Sequence, residues 1–71
     1  MSLGEEIRNK RKEKKLTQFD LADKIGLCRN YISDIENDRY NPSLKTLVKI
    51  SKVLDLDINF LLKESEIQDN Q

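Results

Sequence analysis

The chain has 71 residues, 37% of them hydrophobic, which allows one domain with one modest core and little room for an enzyme pocket. One cysteine excludes an intrachain disulfide, the lack of histidine excludes imidazole acid–base chemistry, and the two together exclude a structural zinc site. The net charge is zero, from 13 basic and 13 acidic residues, which taken whole argues against a nucleic-acid ligand.

The distribution of charge says something different. Residues 1–54 carry 12 Lys/Arg and 8 Asp/Glu, or +4, whereas residues 55–71 carry one Lys and five acids, or −4. The positive charge is densest at Arg8, Lys10, Arg11, Lys12, Lys14 and Lys15. An acidic tail thus masks a basic body, although a solvated lysine-rich helix face has the same composition. No apolar stretch is long enough to span a bilayer and the N-terminus lacks a signal-peptide core, so the expectation is a soluble protein of a reducing cytoplasm.

The apolar spacing is helical throughout, without strand-type alternation. A first helix is expected over residues 3–14, with Leu3, Ile7 and Arg11 on one stripe. Thr17 and Asp20 form a capping-box pattern that opens a second helix with Leu21, Ala22 and Ile25 inward. Gly26 is suited to the left-handed conformation that ends it. A third helix spans about 28–37, with Ile32, Ile35 and Glu36 on its stripe and Tyr31 beside it. After the polar connection 37–42, Ser43 caps a fourth helix carrying Leu44, Leu47, Val48, Ile50, Val53 and Leu54. Asp57 caps a short fifth helix with Ile58, Phe60, Leu61 and Leu62. The expected organisation is therefore an all-α domain over residues 1–62 and a polar, acidic tail over 63–71. The link between helices 2 and 3 is too short to reverse the chain, which favours a steep crossing.

Residues 18–37, QFDLADKIGLCRNYISDIEN, resemble the helix-turn-helix of Cro, lambda repressor and the wider XRE group of bacterial regulators. Gln18, Leu21, Ala22, Gly26, Leu27, Ile32 and Ile35 carry the match, flanked by Leu16-Thr17 and by Asn41-Pro42-Ser43-Leu44-Lys45-Thr46-Leu47. The resemblance covers about residues 4–62 and implies a five-helix lambda-repressor-like domain that binds double-stranded DNA. Ala22 is small where the second helix passes close to the third, and Gly26 makes a turn that a Cβ would strain. The apolar positions hold the two helices at their angle and do not read sequence.

The resemblance implies that the outward face of the third helix enters the major groove, with Cys28, Arg29, Asn30, Ser33 and Asp34 at the reading positions. Arg29 suits guanine O6 and N7, Asn30 suits adenine N6 and N7, and Asp34 can accept from cytosine N4. Gln18, at a helix N-terminus that favours an anion, and Arg39, Tyr40, Asn41 and Lys45, around the following loop, are the implied phosphate contacts. Tyr40 has a second reading, packing against the fourth helix. Lys10, Lys14 and Lys15 lie farther away and add a diffuse field.

Arg11 and Glu36 both stand on apolar stripes, and long charged side chains there need partners. They are expected to pair, tying helix 1 to helix 3, as in some phage repressors. Cys28 stands where Ser or Thr usually caps the reading helix; a thiol caps poorly and is either a tolerated small residue or a redox-sensitive one.

The functional expectation is a transcriptional regulator, a repressor that binds a pseudo-palindromic operator as a homodimer, with no catalytic residue, metal or cofactor. Phe60, Leu61 and Leu62 offer more apolar surface than one terminal helix buries, so helix 5 is the expected dimer interface. Two rivals stand beside it. One is an antitoxin whose acidic tail engages a partner protein; the other is a protein-interaction module on the same fold.

Overall fold

The computed structural model describes residues 2–65, and among them every element is helical. Helices α1 (Leu3–Glu13), α2 (Gln18–Ile25), α3 (Arg29–Glu36), α4 (Leu44–Leu54) and α5 (Ile58–Ser65) follow in chain order. No helix among the described residues is long and apolar enough to cross a membrane.

The N-termini are set by local side-chain chemistry. Ser2 and Glu5 form one reciprocal capping box, and Thr17 and Asp20 form another. Ser43 accepts from the Thr46 N–H at 3.2 Å, and Asp57 accepts from the Asn59 N–H at 2.9 Å. Asp20 keeps its carboxyl below the usual carboxylate range because it accepts the Thr17 backbone N–H and then the Thr17 hydroxyl's hydrogen-bonding support.

The C-termini of α1 to α4 share one device. A residue in the left-handed region follows each helix: Lys15 (φ 60°), Gly26 (φ 76°), Asp38 (φ 59°) and Asp55 (φ 58°). The next residue then bonds back five positions: Leu16 N–H to Arg11 O at 3.1 Å, Leu27 to Ala22 at 2.9 Å, Arg39 to Asp34 at 2.9 Å and Leu56 to Ser51 at 3.0 Å. These are Schellman closures. Only Gly26 among the four is the residue type that signals such an end, so sequence reasoning found one of them. Leu16, Leu27 and Leu56 fold back onto the core as the motif favours.

The core is one cluster built from every helix: Leu3, Ile7, Leu21, Ala22, Ile25, Ile32, Ile35, Leu47, Ile50, Leu54 and Leu61. Packing α2 on α3 leaves Ala22 1% exposed, where a larger side chain would separate the helices. Gly4 makes the second close approach: a Cβ there would collide with the backbone carbonyls of Ile35 and Glu36. Its N–H donates to Asp38 Oδ1 at 3.1 Å, so the start of α1 is docked on the end of α3.

Three expectations need correction. Leu44, counted with the apolar stripe of the fourth helix, is 52% exposed because it occupies the first turn beside the Ser43 cap, beyond the core. Helix α5 continues through Lys63 to Ser65, past the boundary expected at residue 62, because no Gly or Pro stops it there. Leu61, expected at a dimer surface, is fully buried in the core of its own chain, while its neighbour Phe60 stays 38% exposed. The rest of the acidic tail, residues 66–71, and any partner contact it makes lie outside the described residues.

Candidate functional site

The site is organised around α3. Ile32, Ile35 and Glu36 turn inward, leaving Arg29 and Asn30 exposed and Ser33 and Asp34 half-buried on the other side. Asn30 and Asp34 are one turn apart, so they share a face. Cys28 is the exposed N-cap and makes no side-chain cap bond, which leaves the first turn of α3 without a capping acceptor of its own.

Glu36, on the opposite face, is the hub that holds α3 in place. Its carboxylate receives Arg11 Nε at 2.6 Å on one oxygen and Arg11 Nη2 at 3.0 Å on the other. The Glu36 side chain is 0% exposed and that of Arg11 10%. Arg11 Nη1 also donates to the Leu16 carbonyl at 2.8 Å, tying the pair to the end of α1. Two further groups join that were not paired with Glu36 in the sequence reading. Gln18 Nε2 donates to Glu36 Oε1 at 3.0 Å, and Arg8 Nε lies 3.7 Å from the same oxygen. Arg8 also donates to Glu36 O at 3.3 Å and Asn37 Oδ1 at 3.1 Å. Its spacing from Arg11, three residues on a helix, is the signal that places both on one face. Among the described residues no buried side-chain nitrogen or oxygen is left without a hydrogen bond.

The segment after α3 runs back along the helix. Asn37 Nδ2 donates to Ser33 O at 2.8 Å, Arg39 Nη1 meets Asp34 Oδ1 at 3.3 Å, and Tyr31 Oη donates to Tyr40 Oη at 2.6 Å. The tyrosine rings are 4.7 Å apart between centroids. That bond to Tyr40 raises the Tyr31 phenol above its usual range. Tyr40 therefore packs on α3 through Tyr31. Tyr31 and Asp34 are three residues apart on one helix face, which explains how adjacent loop residues find them. The loop, carrying Arg39, Tyr40 and exposed Asn41, is thus fastened beside the outer face of α3; Lys45 is exposed on the first turn of α4.

The remaining charged residues are less concentrated than the sequence suggests. Lys10 pairs with Glu13 at 3.2 Å, and Lys14 with Asp55 at 2.7 Å. The Lys14 contact holds the Asp55 carboxyl below its ordinary value. No group of three or more His, Cys, Asp or Glu among the described residues is placed to hold a metal ion.

Residues 7–61 match the helix-turn-helix family HTH_3. The chain is 53% identical over 66 residues to the ImmF control region 10 kDa protein of Bacillus phage phi105, covering 93% of this chain and 72% of that protein. It is 45% identical over 67 residues to the immunity repressor protein of the same phage, covering 94% of this chain but only 46% of the repressor. The P22 c2 repressor, solved in complex with a synthetic operator, superposes with a TM-score of 0.84 at 33% identity, covering 90% of this chain and 97% of that one.

Proposed function

The chain belongs to the helix-turn-helix family HTH_3, and we propose on that basis that it is a sequence-specific, double-stranded-DNA-binding repressor. The observation that carries this reading is the outer face of α3, with Arg29 and Asn30 exposed and Ser33 and Asp34 half-buried, fixed from behind by Glu36 and flanked by a fastened loop of polar and basic side chains. The operator-bound P22 c2 repressor supports the same use of the fold.

In this reading Arg29 and Asn30 meet base edges, with Ser33 and Cys28 at the groove wall. Arg39, Tyr40, Asn41 and Lys45 grip phosphates. Gln18 opens α2, where the free backbone N–H groups of a helix N-terminus favour a phosphate, and its side-chain amide nitrogen is held on Glu36. A single helix reads few base pairs, so the operator is a pseudo-palindrome with half-sites about 34–36 Å apart, bound by a homodimer. The dimer contact is the outer face of α5 around Phe60, with Leu62 at its edge. The function is recognition and involves no catalysis.

Selection from a randomised duplex pool, with sequencing of the bound fraction, tests the proposal. An enriched inverted repeat is the expected result. A folded protein that enriches nothing at low salt would overturn it, and a protein partner would then be sought.

A further inference from the structure

The four Schellman closures differ at one place. Where α1, α2 and α4 place Leu16, Leu27 and Leu56 against the core, α3 places Arg39, and its contact is the carboxylate of Asp34. The two side chains are 66% and 46% exposed, and an ion pair so wet contributes little to stability. A leucine would close this helix as it closes the other three. The exception falls on the reading face, one turn from Asn30.

Asp34 is an anion on a surface that would face polyanionic DNA, and Arg39 is what neutralises it in the free protein. Phosphate oxygens compete for the same guanidinium, and they bind it in the same forked geometry as a carboxylate. Once Arg39 turns to the backbone, Asp34 faces the groove alone. An unpaired carboxylate there is costly unless a donor meets it. In the major groove that donor is an exocyclic amine, of which cytosine N4 is the one suited to Asp.

We propose that Asp34 selects by exclusion: its carboxylate, shielded by Arg39 until DNA arrives, disfavours every site except one presenting cytosine N4 to it. The proposal rests on the DNA-binding reading above and deepens it, since it makes the acid on the reading face a determinant of specificity rather than an added attraction. Specificity obtained by penalising wrong partners is a general device.

The test measures affinities of the wild type, Asp34→Ala, Asp34→Asn, Arg39→Gln and the double variant Asp34→Ala/Arg39→Gln for the selected operator and for a scrambled duplex of equal length, at two salt concentrations. Thermal melts establish that each variant is folded. Asp34→Ala is expected to bind the scrambled duplex several-fold more tightly and to lose about fivefold or more of its operator preference, with tolerance appearing at one base pair per half-site. Asp34→Asn, which keeps the shape without the charge, is expected to tighten scrambled binding likewise. Arg39→Gln lowers the salt slope by about one phosphate contact, and it costs more affinity in the Asp34→Ala background than alone. Unchanged or weaker binding of the scrambled duplex by both Asp34 variants would overturn the inference while leaving a selective wild type intact. A wild type that binds neither duplex at low salt would remove the DNA-binding reading itself.

Discussion

Arg11→Ala tests the buried ion pair directly. It strips the bidentate partner from a carboxylate whose side chain is 0% exposed, leaving Glu36 with Gln18 at 3.0 Å and Arg8 at 3.7 Å. It also takes the donor from the Leu16 carbonyl. Breaking a buried pair from one side costs about 3–5 kcal/mol, because the survivor is buried without compensation. A chain of this length has on the order of 4–11 kcal/mol of stability in total. Each kcal/mol corresponds to roughly 4–8 °C in a domain of this size, so Arg11→Ala should melt at least about 12 °C lower. Urea unfolding of wild type, Arg11→Ala, Glu36→Gln and the double replacement Arg11→Met/Glu36→Leu gives the values. The double variant should recover much of the loss, since an apolar pair of similar volume buries no charge. Arg11→Ala within about 0.5 kcal/mol of wild type would refute the reasoning, for it would mean that Arg8 and solvent compensate Glu36 unaided.

Four further outcomes follow from the geometry. Gly26→Ala should cost about 1–2 kcal/mol from its φ of 76° alone, since nothing lies within 4 Å, whereas Gly4→Ala should cost more because it drives α1 off the Ile35 and Glu36 carbonyls; chemical denaturation ranks the two. Lys15→Gly should gain up to about 1 kcal/mol by relieving a left-handed lysine, which a melting curve would register. Cys28→Ser should add about 0.5–1 kcal/mol by supplying the missing cap oxygen on α3, and an unchanged urea midpoint would contradict that. Asp20 and Asp55 have folded values below their ordinary ones, so their contribution is complete above the unfolded value and is lost as pH falls through the folded one; an acid titration of stability should flatten below about pH 4 in a doubly substituted Asp20→Asn/Asp55→Asn chain.

The sequence by itself determined the helices and most of their limits. Thr17 with Asp20, Ser43 with Thr46, and Asp57 with Asn59 act within two or three residues, so their hydrogen bonds are the same wherever the helix is docked. The inward faces were legible for the same reason, since Leu21, Ala22 and Ile25, or Ile32 and Ile35, follow from helical periodicity alone. Two charged residues on apolar stripes were enough to suggest that Arg11 and Glu36 meet.

Only the tertiary structure decided what crosses between elements. Gln18 reaches Glu36 across 18 positions and Gly4 reaches Asp38 across 34, and such contacts depend on crossing angles that no local pattern encodes. The same holds for the ranking of Phe60 and Leu61: both read as apolar on one short helix, and the docking of α5 buries one and exposes the other. The Asp38 turn carries no glycine to announce it, yet its left-handed φ folds the chain back along α3 and delivers Arg39 to Asp34 and Tyr40 to Tyr31. The residue types on the outer face of α3 were thus written in the chain, while their neighbours, and hence the charges they present, were set by how the helices pack.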